Sequence, residues 1–543
     1  MTARTPPVIE DPIAVGLARG WKVVDASTLT SPLAIECDVV VVGTGAGGGV
    51  TAELLADAGL NIVLVEEGPL KSSRDFKMRE ADAYPQLYWD SASRKTKDKA
   101  ISILQGRAVG GSTTVNWTSS FRTPPATLAF WREQFGLADL TPAALAPYFE
   151  QAERRFAIAP WQVAPNENND LLRRGAAALR IPAGVVARNV KGCWNLGYCG
   201  MGCPTNAKQS MLVTTIPAAL ERGARLFTRL HAQRLEFNGN HVGRLRCAAL
   251  AADGLTAREL NVDVRARHYV IAGGAINSPG LLLRSNAPDP YALTGKRTFL
   301  HPTVISAALM EHAVDGFNGS PQTVFSDHFL ELDRIDGPIG FKLEAAPVHP
   351  VLFASTLPGF GEQHAELMRQ FARTHVQIAL LRDGFHPDNI GGRVSLTADG
   401  RAVLDYPLND VIWDAVRRAF VAMAEIQFAA NAKTVYPVHE LAGGYATFKE
   451  AKQAIAQLPL KPLLTRVVSA HVMGGCGMGD SERRGVVDTR GRHFHVDNLS
   501  VHDGSIFPTS LGANPQLSIY GIVGKMAEGL AAELSGRRKT RPP

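Results

Sequence analysis

The chain has 543 residues and a mass of 58.3 kDa, and its 45% hydrophobic and 20% charged residues are the composition of a globular protein with more than one lobe. A formal net charge of +6, with Lys and Arg scattered along the chain, offers nucleic acid no concentrated basic face. No run of ~18 apolar residues predicts a membrane-crossing helix.

The first twenty residues lack the charged start, apolar middle and small-residue cleavage site of a secretory signal, and carry no twin-arginine pair. The cytoplasm is therefore the default address, with export alongside a partner subunit or peripheral membrane association left open. Six cysteines in this length argue against a disulfide scaffold.

In chain order, residues 1–36 read as an N-terminal arm, ordered around Gly16 to Val24. Cys37 to Val42 is a β-branched run, as expected of a parallel strand buried on both faces. It enters Gly43-Thr44-Gly45-Ala46-Gly47-Gly48, followed by helical spacing from Val50 to Ala58 and a second strand, Asn61 to Val65, ending at Glu66 and Glu67. This is a βαβ unit with a nucleotide-binding fingerprint. Gly43 makes the tight turn, Gly45 admits a pyrophosphate and Gly48 lets helix pack on strand, while Glu66 stands where an acid holds ribose hydroxyls. The fingerprint alone fits NAD or FAD.

Ala83 to Ser93 reads as irregular. A second Gly-rich loop spans Gly106 to Asn116, a helix capped by Thr141 runs to Phe156, and Pro160 to Asn169 reads as loop. Cys193, Cys199 and Cys203, spaced C-x5-C-x3-C before Pro204, match the pattern of iron–sulfur loops. Two readings stand: thiolates converging on a cluster, or a tight Gly/Cys loop with reduced or disulfide-bonded thiols. His268 to Ala272 is a buried strand entering Gly273-Gly274, and a helix starts near Pro279. From His301 to about Pro459 short strands alternate with helices at Gly361 to Thr374 and Asn409 to Ala432. His493 and His495 share one face of an expected strand, where two ligands without a third favour a solvated face over a metal site. The chain then returns to the first lobe across Val496 to Ser505 and closes with a helix from Pro515 to Leu534. The basic end, Gly536 to Arg541, reads as a solvated tail.

Five segments in order, GTGAGG with VLVEEGP, GRAVGGSTTVN, AGGAINSPGLLLRSN, HVMGGCGMG with VHDGS, and GANPQLSI, resemble the glucose-methanol-choline (GMC) oxidoreductase family, which binds FAD. The resemblance implies an α/β fold: a doubly wound, Rossmann-like FAD-binding domain (37–155, 205–300 and 465–538) and a discontinuous antiparallel-sheet substrate-binding domain (301–464), joined by a Cys-rich segment (156–204). It also implies that Gly43, Gly45, Ala46, Gly48, Glu66 and Glu67 hold the ADP half of FAD. Arg107, Gly110, Gly111, Ser112 and Asn116 would lie along the pyrophosphate and flavin, with Ala272, Asp503, Gly504 and Pro515 also against the cofactor. Some members attach flavin through a His in the second loop. This loop has none, so the FAD is expected to be non-covalent.

The same resemblance makes His471 the base that takes the hydroxyl proton of an alcohol, and Asn514 the donor to its oxygen. Imidazole suits that task because its pKa of ~6.5 lies near working pH. The expected reaction is oxidation of an aliphatic, aromatic or sterol-like alcohol to aldehyde or ketone, dehydrogenase favoured over oxidase. The Cys loop is similar to the segment that holds a three-iron cluster in bacterial FAD-dependent glucose dehydrogenases, which implies an alternative: a catalytic subunit passing electrons to a cytochrome or quinone partner. Long-chain alcohol oxidases have a similar segment. Lyase or decarboxylase chemistry on the same fold is the third reading.

Overall fold

The computed structural model describes residues 9–536. The first eight residues of the arm and the basic tail from Arg537 onward lie outside the described residues. The first βαβ unit forms as its pattern requires. Strand Leu33–Val42 has its last four valines buried, helix Ala46–Asp57 follows, and strand Ile62–Val65 pairs parallel to the first. The first strand starts four residues earlier than the β-branched run, because Leu33 to Cys37 pair in parallel register with the long strand Ala257–Ile271.

The arm is part of this sheet. Lys22–Asp25 pairs parallel with Arg225–Thr228, which pairs with Ile62–Val65. On the other side, Ala257–Ile271 pairs antiparallel with His241–Leu250, which pairs with Leu230–Asn238, while Leu499–Val501 joins the far end of the long strand in parallel. The result is an eight-stranded mixed sheet with a parallel centre. Helices Ala46–Asp57 and Gln516–Leu534 pack on each other over it.

The second lobe is built on a nine-stranded sheet whose middle is Thr303–Leu309, Thr374–Leu381 and Phe341–Glu344, all antiparallel. Two of its edge strands, Arg94–Lys95 and Ile101–Ile103, come from the segment between the two Gly-rich loops, so the lobes interleave in sequence. Alternation along the strands splits the side chains between two faces. Val304, Ala308, Ala379 and Leu381 pack in one core beneath helix Asp410–Ala429, while Ile305, Ala307, Val376, Ile378 and Leu380 face the other way.

Three expectations are corrected. The irregular reading of Ala83 to Ser93 fails for its first part, where helix Glu80–Leu87 forms with Pro85 inside it, and holds beyond it, where Asp90, Ser91 and Ala92 take positive φ of 48°, 53° and 65°. The helix is held from elsewhere, because Glu80 accepts the backbone N–H groups of Val351 (2.6 Å) and Leu352 (2.8 Å) and the hydroxyl of Tyr84 (2.7 Å). The loop at 160–169 ends early, since Asn166 caps helix Glu167–Ala178. His493 and His495 lie on a bridge and turn rather than a strand, and among the described residues no three His, Cys, Asp or Glu side chains stand together as metal ligands.

Candidate active site

One cavity of about 1930 Å³ lies between the lobes. It exceeds the roughly 300–1,000 Å³ of clefts for drug-sized ligands, so it has room for a cofactor and a substrate together. One wall is the fingerprint loop. Gly43 has φ +101°, and a Cβ there would stand 2.3 Å from the carbonyl oxygen of Ala272; one on Gly48 would meet the carbonyl oxygen of Gly43 at 2.0 Å. Those glycines close helix on strand. Gly45 is different: its missing Cβ would have nothing nearer than Cα of Gly111, 3.9 Å away, so the space before it is open. No side chain caps helix Ala46–Asp57, leaving its first N–H groups for an anion at the cavity wall. This cradle fits a dinucleotide pyrophosphate.

Glu66, Glu67, Arg107, Gly111, Ser112, Asn116, Ala272, Asp503, Gly504 and Pro515 also line the cavity; Gly48 and Gly110 do not. Gly110 instead donates to Thr44 Oγ1 (3.0 Å), and Thr44 in turn donates to Glu66 through its N–H (3.0 Å) and hydroxyl (2.6 Å). Gly68 N–H occupies the other Glu66 oxygen at 2.8 Å. Burial raises the Glu66 pKa despite these donors. Arg107 lines the cavity with its guanidinium paired to Glu67 (2.9 Å) and 5.0 Å from the Trp89 ring centroid. Burial opposes ionisation of Glu67, but His231 and Arg107 outweigh it and bring its pKa to about 2.

Asp503 ties its own turn to the loop at 274–278. Its carboxylate accepts from Gly274 N–H (2.8 Å), the Ser278 hydroxyl (2.5 Å) and Ser505 N–H (2.7 Å). Asn116 donates to Gln516 (2.7 Å), a residue the motif reading did not single out, and Gln516 donates to Ser119 O and Ser120 Oγ.

His471 and Asn514 line the same cavity. His471 follows the short strand Val467–Ser469, and its N–H donates to Ser469 Oγ at 3.2 Å. Burial, then the charge of Lys342, depress its pKa to about 4, so it is neutral at physiological pH. Asn514 is buried on the turn before helix Gln516–Leu534; its Nδ2 lies 3.4 Å from Glu344 Oε2 and its Oδ1 has no protein partner. Sequence reasoning missed His301, whose Nδ1 is 3.1 Å from Nδ1 of His471, and buried Glu344 behind Asn514. Neither sits in a motif; only the fold brings them here.

Beyond His471 and Asn514 the cavity becomes apolar. Ile305, Ala307, Val376, Ile378 and Leu380 from the sheet line it together with Leu352, Phe353 and Leu357.

The three thiols of the Cys loop are near enough to feel one another electrostatically, and each has its own hydrogen-bond partner. Cys193 Sγ accepts from Asn195 N–H (3.4 Å), Cys199 meets the Arg188 guanidinium (3.6 Å), and Cys203 sits against Thr205 Oγ1 (3.4 Å) and Lys208 N–H (3.5 Å). Among the described residues Cys193, Cys199 and Cys203 form no group of metal ligands. The loop is pinned instead by Lys208, buried and donating to the carbonyls of Thr114, Asn116 and Cys199 at 2.6–2.8 Å.

Residues 84–303 and 388–522 match the N- and C-terminal family models described as GMC oxidoreductase. An uncharacterized GMC-type oxidoreductase of Mycobacterium tuberculosis is 31% identical over 511 residues, 94% of this chain and 78% of the relative. A long-chain-alcohol oxidase of Arabidopsis thaliana is 27% identical over 516 residues, 92% of this chain and 69% of that protein. Among solved structures, formate oxidase of Aspergillus oryzae superposes with a TM-score of 0.70 at 16% identity, over 93% of this chain and 99% of that one. Pyridoxine 4-oxidase from Mesorbium loti follows at 0.66 and 18%, over 91% and 99%.

Proposed function

The chain belongs to the GMC oxidoreductase family, and from that membership we propose that it oxidises a long or extended apolar alcohol to the aldehyde or ketone, using non-covalent FAD. The observation that carries this reading is the continuity of one cavity from the glycine cradle, past His471 and Asn514, into the apolar passage over the second sheet. Bound FAD supplies a hydride acceptor, the flavin ring.

The protein's own part is binding, orientation and proton handling. The open face of Gly45 and the uncapped start of helix Ala46–Asp57 receive the pyrophosphate, and Glu66 faces the ribose. His471 and Asn514 take the alcohol oxygen. An alcohol gives up hydride more readily as its hydroxyl loses its proton, so the neutral imidazole of His471 is the base, and the amide N–H of Asn514 steadies the oxygen as charge develops. Desolvation suits this division. A histidine held neutral by burial can accept a proton that water would otherwise have supplied to it at pH 6.

The apolar passage selects the substrate. Its walls offer dispersion and burial worth about 0.8 kcal/mol per CH₂, so each added methylene within reach strengthens binding. The relative named as a long-chain-alcohol oxidase supports this choice of substrate. Steady-state assays over straight-chain alcohols of increasing length test it, with rising kcat/KM expected until the passage is filled. A preference for short, charged or sugar-like alcohols overturns it.

A further inference from the structure

His301 is held with unusual care. It is buried, and its φ of +45° lies in the left-handed region that bulky residues avoid. Buried Asp383 fixes that backbone by accepting the N–H groups of Leu300 and His301, each at 3.0 Å, while the hydroxyl of Tyr406 donates to Asp383 at 2.6 Å. Backbone strain so over-determined marks functional positions. The imidazole bridges the two segments that carry the proposed chemistry. Its Nε2 is 3.0 Å from the backbone nitrogen of Gly512, two residues before Asn514, and its Nδ1 is 3.1 Å from Nδ1 of His471.

Hydrogen bookkeeping across this bridge has one solution. The N–H of Gly512 can only donate, so Nε2 of His301 carries a lone pair. A neutral imidazole with a bare Nε2 has its hydrogen on Nδ1. That hydrogen points at Nδ1 of His471, which must therefore accept, and neutral His471 carries its own hydrogen on Nε2. Turning the His471 ring over would set Cδ2–H against the His301 N–H. Protonating Nδ1 of His471 would set two N–H groups against each other.

We propose that His301 is a positioning residue that locks His471 in the tautomer with hydrogen on Nε2, so that the imidazole first meets the substrate oxygen as a hydrogen-bond donor. The base form, bare at Nε2 and protonated at Nδ1, arises only when the His301 contact parts and water takes the Nε2 proton while giving one to Nδ1. His301 thereby sets the share of enzyme ready to take the hydroxyl proton. The inference rests on His471 being the histidine that meets the alcohol. Burial, followed by the neighbouring charge of a protonated His471, of Lys342 and of Arg382, keeps His301 itself neutral.

The test is a long-range ¹⁵N–¹H correlation spectrum of histidine-labelled FAD holoenzyme at pH 7, with His471 and His301 assigned by their loss in His471→Asn and His301→Phe. Expected are a protonated Nε2 and bare Nδ1 for His471, the reverse for His301, and a tautomer mixture at His471 in His301→Phe. A His471 protonated at Nδ1 in the wild-type spectrum overturns the proposal, and that spectrum decides even where the variant does not fold. Flavin absorbance of the same sample and its bleaching by alcohol report separately on the functional reading.

Discussion

The carboxyl of Glu344, buried on strand Phe341–Glu344, accepts from the side-chain amide of Asn514 at 3.4 Å and from that of Gln322 at 2.5 Å. Burial, opposed by Lys342 and reinforced by Asp327, raises its pKa to about 7. Above that pH the carboxylate anchors both amides with charge-assisted bonds; below it, protonation weakens them. We therefore expect kcat/KM to rise with pH through about 7. Glu344→Gln flattens that limb, and pH–rate profiles of the two proteins check it. His471, with a pKa of about 4, cannot supply a limb at 7.

Two glycines two residues apart in the fingerprint loop, Gly45 and Gly47, should separate folding from cofactor binding. Gly45→Ala leaves the fold intact, because its Cβ clears every neighbour by 3.9 Å or more, yet it fills the approach to the pyrophosphate. Gly47→Ala drives a Cβ to 1.8 Å from the carbonyl oxygen of His502 and should cost about 1–3 kcal/mol or more of stability. Flavin content after purification and thermal melts distinguish the two outcomes: Gly45→Ala folded and flavin-poor, Gly47→Ala destabilised.

Blocking the apolar passage should shorten the preferred substrate. Ala307 lines it, paired across the sheet with Val376. Ala307→Phe is expected to lower kcat/KM for dodecanol by roughly tenfold or more, the worth of about 1–3 kcal/mol of apolar contact, with butanol little changed. Equal losses on both alcohols would count against this wall as the selector.

Iron and acid-labile sulfide analysis of anaerobically purified protein should return far less than one iron per chain. The three thiols of the Cys loop are each engaged with separate partners, and among the described residues they form no group of metal ligands. Stoichiometric iron lost in Cys199→Ser would reverse that conclusion.

The sequence was most legible where backbone chemistry is local. The valines of 39–42, the glycines of the fingerprint and the caps Thr141 and Asn409 act within a few residues, and the expected elements formed there, the first strand only extended at its start. What stayed hidden depends on distant partners. Helix Glu80–Leu87 carries an interior proline and is anchored by Glu80 on residues 351 and 352. The arm at 22–25 reveals itself as a strand only beside Arg225–Thr228. The pairing of Arg107 with Glu67 and Trp89 joins it to residues 40 and 18 positions away, which no motif spacing encodes. His301 and Glu344 have no motif at all; their chemistry comes from burial beside His471 and Asn514, which no spacing encodes.

The most direct measurement is an anaerobic titration of FAD holoenzyme with dodecanol, followed in the flavin absorbance bands. The account predicts bleaching in the wild type, slowed roughly 10²–10⁴-fold in His471→Ala by loss of the base and about 10²-fold in Asn514→Ala by loss of the donor, each with flavin still bound. Flavin that stays oxidised with every alcohol tried, or a His471→Ala enzyme that bleaches at the wild-type rate, would contradict it.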